Sequence, residues 1–436
     1  VSADGRQATN HLARLLSSRN QEELLAALAP HTGDVPPKVP GGSHVTDEAV
    51  QRRWDLLSAP PEARRELLDI DTEARKDHFK RNIEHFIGTV KVPVGLAGPL
   101  RVNGLFAHGD YYVPLATTEA ALVASYSRGS HLLTEAGGCT AVLLNEGVSR
   151  APGYAFRNLR EAGLFAHWAT EHFDDFRKAA EATTRFGKLI NLRITVDGNY
   201  VFLNFEYLTA DASGQNMVTM ATAAVCEFIE QECPIKPRHY FLEANLSGDK
   251  KSSAQSFLLV RGRKVSAEAT LSPELIHKLL RTTPDHLVNF WRMSAMGGVL
   301  SGTMGLQGHY ANGLAALYLA CGQDVACVAE SAVGVTRFEV VEDGSLYASV
   351  TLPNIMVGTV GGGTGLPSQK ACLEVLGLYG PGKAQALAEV CAGLCLAGEL
   401  SIMGALCSGD FSRAHRLLAR GKSAKRTEDG QGTPHA

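Results

Sequence analysis

The chain has 436 residues, 45% hydrophobic and 20% charged, a balance that suits a large buried core and excludes a wholly disordered protein or a small disulfide scaffold. A formal net charge of −3 gives no bulk electrostatic reason to expect a nucleic-acid partner. Nine cysteines without a C-x-x-C pair read as reduced, mostly buried thiols of a cytoplasmic enzyme.

Residues 1–82 read as a helical entry region. HLARLLSSRNQEELLAAL has apolar helical periodicity, a Pro/Gly linker covers 31–43, and a charge-rich helical stretch follows over about 46–82. The first ten residues lack the apolar core of a signal peptide. IGTVKVPVGLAGPLRVNG then alternates apolar residues with Gly and Pro, as short strands and turns do. YYVPLATTEAALVASYSRG passes from strand to helix, with Thr117 or Thr118 as the expected N-cap.

Residues 152–240 form a distinct segment. FRNLREAGLFAHWATEHFDDFRKAAEATTRF is amphipathic helix, GKLINLRITVDGNYVFLNFEYLT is two strands around an Asp-Gly turn, and ADASGQNMVTMATAAVCEFIEQE is a helix entered through a small polar loop. Such a unit reads as a small domain inserted into a larger one spanning 83–151 and 241–420. In the larger part, SAQSFLLVRG and RKVSAEATL are expected strands, and helices are expected over about 272–281 and 308–321. TRFEVVEDGSLYASVTLP is a further strand pair, followed by glycine-rich TVGGGTG and a long small-residue helix from Ala384. Glu389 and Glu399 interrupt that helix, which argues for burial inside the protein over a membrane span. The last stretch, 421–436, is polar and reads as a flexible tail.

No P-loop, G-x-G-x-x-G or metal-ligand spacing occurs, so no metal is expected. Glu119, the run Asp249-Lys250-Lys251, Asp324 and His415 stand out as chemically capable groups, with either lysine as the ammonium. Each alone is better explained as a helix-end or strand-end charge, and His415 as a surface helix residue. Together, two carboxylates, an ammonium and an imidazole could stabilise an oxyanion and protonate an oxygen and a leaving group.

In order along the chain, IGTVKVPVGLAGPL, ATTEAALVAS, TTRF, DASGQNM, DKKSSAQ, HYANGLAALYLACGQD, GTVGGGTGLPSQKACLEVLG and LAGELSIMGAL resemble 3-hydroxy-3-methylglutaryl-coenzyme A reductase. The resemblance spans about residues 84–420, roughly three-quarters of the chain, and is to the eukaryotic and archaeal type without the membrane anchor of animal and plant forms. It implies an α+β fold: a large α/β domain around a central helix, with an inserted ferredoxin-like cofactor domain. The activity it implies is a four-electron reduction of an acyl-CoA thioester to mevalonate and free CoA with two NADPH. Tight dimers, or higher homo-oligomers, with the active site at the interface are implied as well, with no nucleic acid and no membrane.

By this resemblance Glu119, Lys250, Asp324 and His415 are the catalytic quartet. Lys250 would stabilise the oxyanion, Glu119 protonate the aldehyde oxygen, Asp324 link the two, and His415 protonate the departing thiolate. Arg150, Asn245, Asp249, Lys251, His309 and Asn312 would surround the acyl group, and Thr184, Arg185, Phe186, Asp211, Ser213, Gln215, Asn216 and Met217 would hold NADPH, with Arg185 suited to its extra phosphate.

Some positions depart from the family pattern. Ser213 and Gln215 stand where methionines are usual, Glu243 replaces a serine facing the substrate carboxylate, Arg292 replaces a lysine, and His85 replaces an asparagine. A glutamate near a carboxylate pocket is repulsive unless Arg292 or Arg150 neutralises it. The departures leave open a thioester reductase with a different acyl substrate, and a non-catalytic cofactor-binding scaffold is a third reading.

Overall fold

The computed structural model describes residues 9–10, 13–14, 17, 20–30, 33 and 35–409. His415 and the expected tail therefore lie outside the described residues. The chain divides into two compact units, residues 1–89 and 90–436.

In the first unit, helices α1 (Gln21–Leu28), α2 (Asp47–Trp54), α3 (Pro61–Leu67) and α4 (Ile70–Ala74) follow the helical expectation. Asn20 and Glu23 form a reciprocal capping box on α1, which satisfies two amides that a helix start leaves free. A small core of Val45, Val50, Trp54, Leu68 and Phe86 closes around Arg53. The Arg53 guanidinium is 1% exposed and donates to the carbonyls of Pro40, Gly42, His44 and Phe86. Burial lowers its pKa, and four carbonyls hold it charged, with no carboxylate partner among the described residues.

The second unit is α+β. Its strands are β1 (Val94–Gly104), β2 (His108–Ala116), β3 (Cys139–Arg150), β4 (Gly153–Ala155), β5 (Lys188–Asp197), β6 (Tyr200–Leu208), β7 (His239–Phe241), β8 (Gly262–Leu271), β9 (Val335–Val340) and β10 (Leu346–Ile355). They form one sheet in the order β7–β4–β6–β3–β8–β10–β9, with β5 beside β6, β1 beside β3 and β2 beside β1. Strand β3 joins the two ends. Residues 140–147 pair with β8, and residues 148–150 pair with β6.

Between β4 and β7 lie α6 (Leu159–Glu171), α7 (Phe173–Glu181) and α8 (Gln215–Glu232). The local order β7–β4–β6–β5, all antiparallel, with helices between β4 and β5 and between β6 and β7, is the split βαβ arrangement of ferredoxin-like folds. The stretch from FRNLRE to TTRF is two helices, broken at His172, whose ring stacks on Trp168.

Helices α5 (Leu122–Glu135), α9 (Pro273–Leu280), α10 (Pro284–Ser301), α11 (Tyr310–Ala320), α12 (Val328–Ser331), α13 (Pro367–Val375) and α14 (Ala384–Cys407) complete the unit. Helix α14 is long and apolar enough to cross a membrane, yet 83% of its apolar window is buried within the protein. Glycines bring its neighbours close: a Cβ at Gly129 of α5 would meet the Ala397 carbonyl oxygen at 1.8 Å, and one at Gly398 would meet the Tyr126 ring at 2.4 Å. Both carboxylates of α14 are fully buried and partnered. Glu389 accepts from the amides of Leu105, Phe106, Ala107 and Leu143. Glu399 accepts from the amides of Gly308 and His309 and from the Thr336 hydroxyl.

Three sequence expectations fail locally. Residues 254–257 are a 3₁₀ turn where a strand was expected, and Ser253 caps it. Helix α5 starts at Leu122 behind left-handed Ala121 with no side-chain cap; Thr117 instead accepts from the Glu119 amide at 3.0 Å, a local turn that competes with capping. Helix α10, absent from the sequence reading, carries exposed Met293, Met296, Val299 and Leu300, so a two-sided apolar surface hid its period.

Candidate active site

Lys250 sits in the loop between β7 and β8 with left-handed backbone (φ 55°), which a non-glycine residue adopts only when its surroundings hold it. Its Nζ lies 2.8 Å from Asp324 Oδ2, with both side chains about 40% exposed. Asp324 caps the turn Val325–Cys327, so its Oδ1 accepts from the Ala326 amide at 3.0 Å while Oδ2 faces the lysine. The hydrogen bond to Asp324 raises the Lys250 pKa above the ordinary lysine value, with the charges of Asp324 and Asp249 adding to it.

The motif glycines explain why these loops meet. Gly322 has φ +67°, and a Cβ there would meet the Gly363 carbonyl oxygen at 2.3 Å, so ACGQD and GTVGGGT pack backbone against backbone. Gln323 fastens the same contact by donating to the Gly358 carbonyl at 2.9 Å and accepting from its amide at 2.7 Å. A Cβ on Gly358 would in turn meet the Ser213 amide nitrogen at 2.5 Å. Motifs far apart in sequence are therefore one loop cluster.

Glu119 lies elsewhere along α11. Its oxygens accept from Asn312 Nδ2 at 3.3 and 3.5 Å, in the first turn of that helix, whereas Asp324 follows its last turn. At 1.5 Å per residue, Asn312 and Ala320 are about 12 Å apart along the axis. Within one chain, Glu119 and the Lys250–Asp324 pair thus stand at opposite ends of α11. His309, at the start of that helix, stacks on Tyr126, and its Nε2 pairs with the Gly398 carbonyl at 2.8 Å.

Strand β3 delivers Arg150 to the junction of the two sheet halves. Its Nη1 lies 3.0 Å from Asp249 and 3.3 Å from Glu243. Glu243 also accepts from the amides of Ala151 and Asn245. Arg150 is therefore the neutralising partner of Glu243. Arg292 is exposed on α10 and reaches Asn289 at 3.5 Å. Asn245 has φ 65°, and Lys251 donates to the Asp249 carbonyl.

The two expected cofactor stretches touch. Thr184 Oγ1 donates to Met217 Sδ at 3.0 Å and accepts from the Phe186 and Gly187 amides. Phe186 is 71% exposed, and Arg185 and Asn216 are exposed beside it. Helix α8 begins at left-handed Gly214 with no side-chain cap and no acidic residue in its first turn, a donor set suited to an anion. Gln215 Nε2 reaches Cys327 Sγ at 2.7 Å and so ties this helix start to the Asp324 turn. Asp211 is used structurally: its carboxylate accepts from the amides of Gly382, Lys383 and Ala384 at the head of α14.

Sequence reasoning missed Arg261 and Glu330. Arg261 Nη1 lies 2.6 Å from Glu330, and Nη2 lies 2.8 Å from Asp249. Burial pushes the Glu330 carboxyl up, and Arg261 pulls it part of the way back. Their one signal was charge inside apolar runs, in FLLVRG and CVAES.

A sequence profile described as hydroxymethylglutaryl-coenzyme A reductase matches residues 49–420. The chain belongs to that family. The hydroxymethylglutaryl-coenzyme A reductase of Pyrococcus horikoshii is 44% identical over 348 residues, covering 78% of this chain and 84% of that protein. The Methanothermobacter thermautotrophicus reductase is 42% identical over 378 residues, covering 86% and 94%. Among solved structures, the class II reductase of Streptococcus pneumoniae bound to NADPH in open conformations superposes with a TM-score of 0.62 at 19% identity, covering 83% of this chain and 97% of that one. This likeness carries the reductase fold.

Proposed function

We propose that the protein reduces hydroxymethylglutaryl-CoA to mevalonate and free CoA, consuming two NADPH and two protons. The Lys250–Asp324 ion pair, held where two family glycine motifs meet, is the observation that carries this reading. Bound NADPH supplies the hydride. The uncapped start of α8, with exposed Arg185 next to Thr184, fits its phosphates, and residues 152–240 are the proposed cofactor domain.

The residues of this chain have distinct roles. A hydride reaching the thioester carbon leaves negative charge on oxygen, and the Lys250 ammonium, kept charged by Asp324, stabilises it. Glu119, steadied by Asn312, delivers the proton that converts the aldehyde oxygen to the alcohol. His415 protonates the thiolate of CoA as the C–S bond breaks. The separation of Glu119 from Lys250 along α11 supports a homodimer whose site takes Glu119 from one chain and Lys250 from the other. Nine free thiols, seven of them buried, support a cytoplasmic location.

Incubation with hydroxymethylglutaryl-CoA and NADPH, followed by cofactor absorbance and product mass spectrometry, tests the reading. Mevalonate at about 1 per second or faster is expected; the absence of cofactor oxidation with any thioester overturns it. Glu243 favours a second reading, a different acyl group, because it shares Arg150 with Asp249 and leaves less of that guanidinium for a substrate carboxylate. Glu243→Ser is then expected to shift preference towards hydroxymethylglutaryl-CoA, and unchanged acyl preference removes this second reading.

A further inference from the structure

The geometry points to Glu330 and Arg261 as a buried positioning pair that sets the place of the Lys250 ammonium, an inference that rests on the reductase reading of the site. Glu330 is fully buried, and the backbone amide of Lys250 helps to lower the carboxylate pKa that burial raises. The same carboxylate faces Arg261 Nη1 at 2.6 Å, and Arg261 Nη2 faces Asp249, the residue before Lys250, at 2.8 Å. Glu330 also stands six residues beyond Asp324, in the short helix that follows the Asp324 turn. The chain Glu330–Arg261–Asp249 thus links the two loops that bring Lys250 and Asp324 together. Ser252 adds a second tie by donating to the Ala329 carbonyl at 2.8 Å.

The backbone of Lys250 gives this grip its work. A lysine at φ 55° has no intrinsic reason to stay there, and its loop has no strand pairing between His239–Phe241 and Gly262–Leu271. Arg261 is itself fixed, because its amide donates to Asn354 Oδ1 at 2.9 Å and its side chain is 4% exposed. Charge-assisted bonds from a buried pair are strong enough to hold the strained conformation. Neither residue touches the reacting atoms in this arrangement; both act through Lys250.

Glu330→Gln removes the charge and keeps the shape. In a folded variant kcat is expected to fall about 10- to 100-fold, with KM for thioester and cofactor within about threefold, since small misplacement of a catalytic group costs that much. Loss of the Lys250–Asp324 contact also returns the lysine towards its ordinary titration, so the alkaline limb of the pH–rate profile moves to lower pH. A readout free of turnover comes from pH-dependent amine labelling of Lys250, read by peptide mass spectrometry. Labelling is expected to begin at lower pH in the variant than in the parent protein. The groups facing that amine are Asp324, Cys327 and Asp249, all unaltered by the substitution. Unchanged kcat, or an unchanged labelling curve, overturns the inference, whereas failure of the parent protein to reduce hydroxymethylglutaryl-CoA counts against the functional reading alone. If Glu330→Gln does not fold, Glu330→Asp and Arg261→Lys, which keep the charges, take its place; parental labelling curves in both overturn the inference.

Discussion

Lys250 and Asp324 divide their bonding so that each keeps one function. Asp324 gives one oxygen to its own turn and one to the lysine, and the lysine answers with a raised pKa. The sign of the consequence follows. A raised folded pKa means the ammonium persists through neutral pH, and what the pair contributes to stability is lost only as pH climbs through that raised value. Asp324→Asn removes the carboxylate that raises it, so the alkaline limb of the pH–rate profile is expected at lower pH than in the parent; an unmoved limb would show that another group sets it. Sequence chemistry alone singled out Asp324 and the run Asp249-Lys250-Lys251, and the family resemblance chose Lys250 within that run. It missed Arg261 and Glu330, because a buried pair has no sequence spacing of its own and its partners lie 69 residues apart.

At the level of elements, the active loops owe their shape to glycines and buried carboxylates. Gly322→Ala would press a methyl group against the Gly363 carbonyl from a left-handed backbone. Steady-state kinetics are expected to show a loss of about 10-fold or more in kcat, as the Asp324 turn is displaced. Glu399 in α14 accepts two hydrogen bonds at the head of α11, the end that carries Asn312, and a third from Thr336 of β9. Glu399→Gln turns one acceptor into a donor and leaves a buried amide or hydroxyl unpartnered, a cost of about 1–3 kcal/mol that urea denaturation would measure. Long elements with one clear period were readable from sequence. Short or two-sided ones, such as the 3₁₀ turn at 254–257 and α10, were not, because local hydrogen bonding and exposed apolar surface obscure the period.

At the scale of the molecule, the separation of Glu119 from Lys250 makes a prediction that one chain cannot satisfy alone. Mixing Glu119→Gln with Lys250→Ala subunits is expected to restore about a quarter of the parent activity if sites form between chains: half the dimers are mixed, and each has one intact site. Activity no greater than that of the separate variants would place both residues in one chain's site. The sequence by itself determined the family, the α+β class and the burial of α14, because glycine-rich turns and hydrophobic period are local properties. Only the tertiary structure decided that Arg150 neutralises Glu243, that Asp211 caps α14, and that Arg261 joins Glu330 to Asp249 beside Lys250. Those pairings depend on which strands and loops fold beside one another, and hydrogen-bond partners separated by up to 173 residues carry no signal until the fold brings them together.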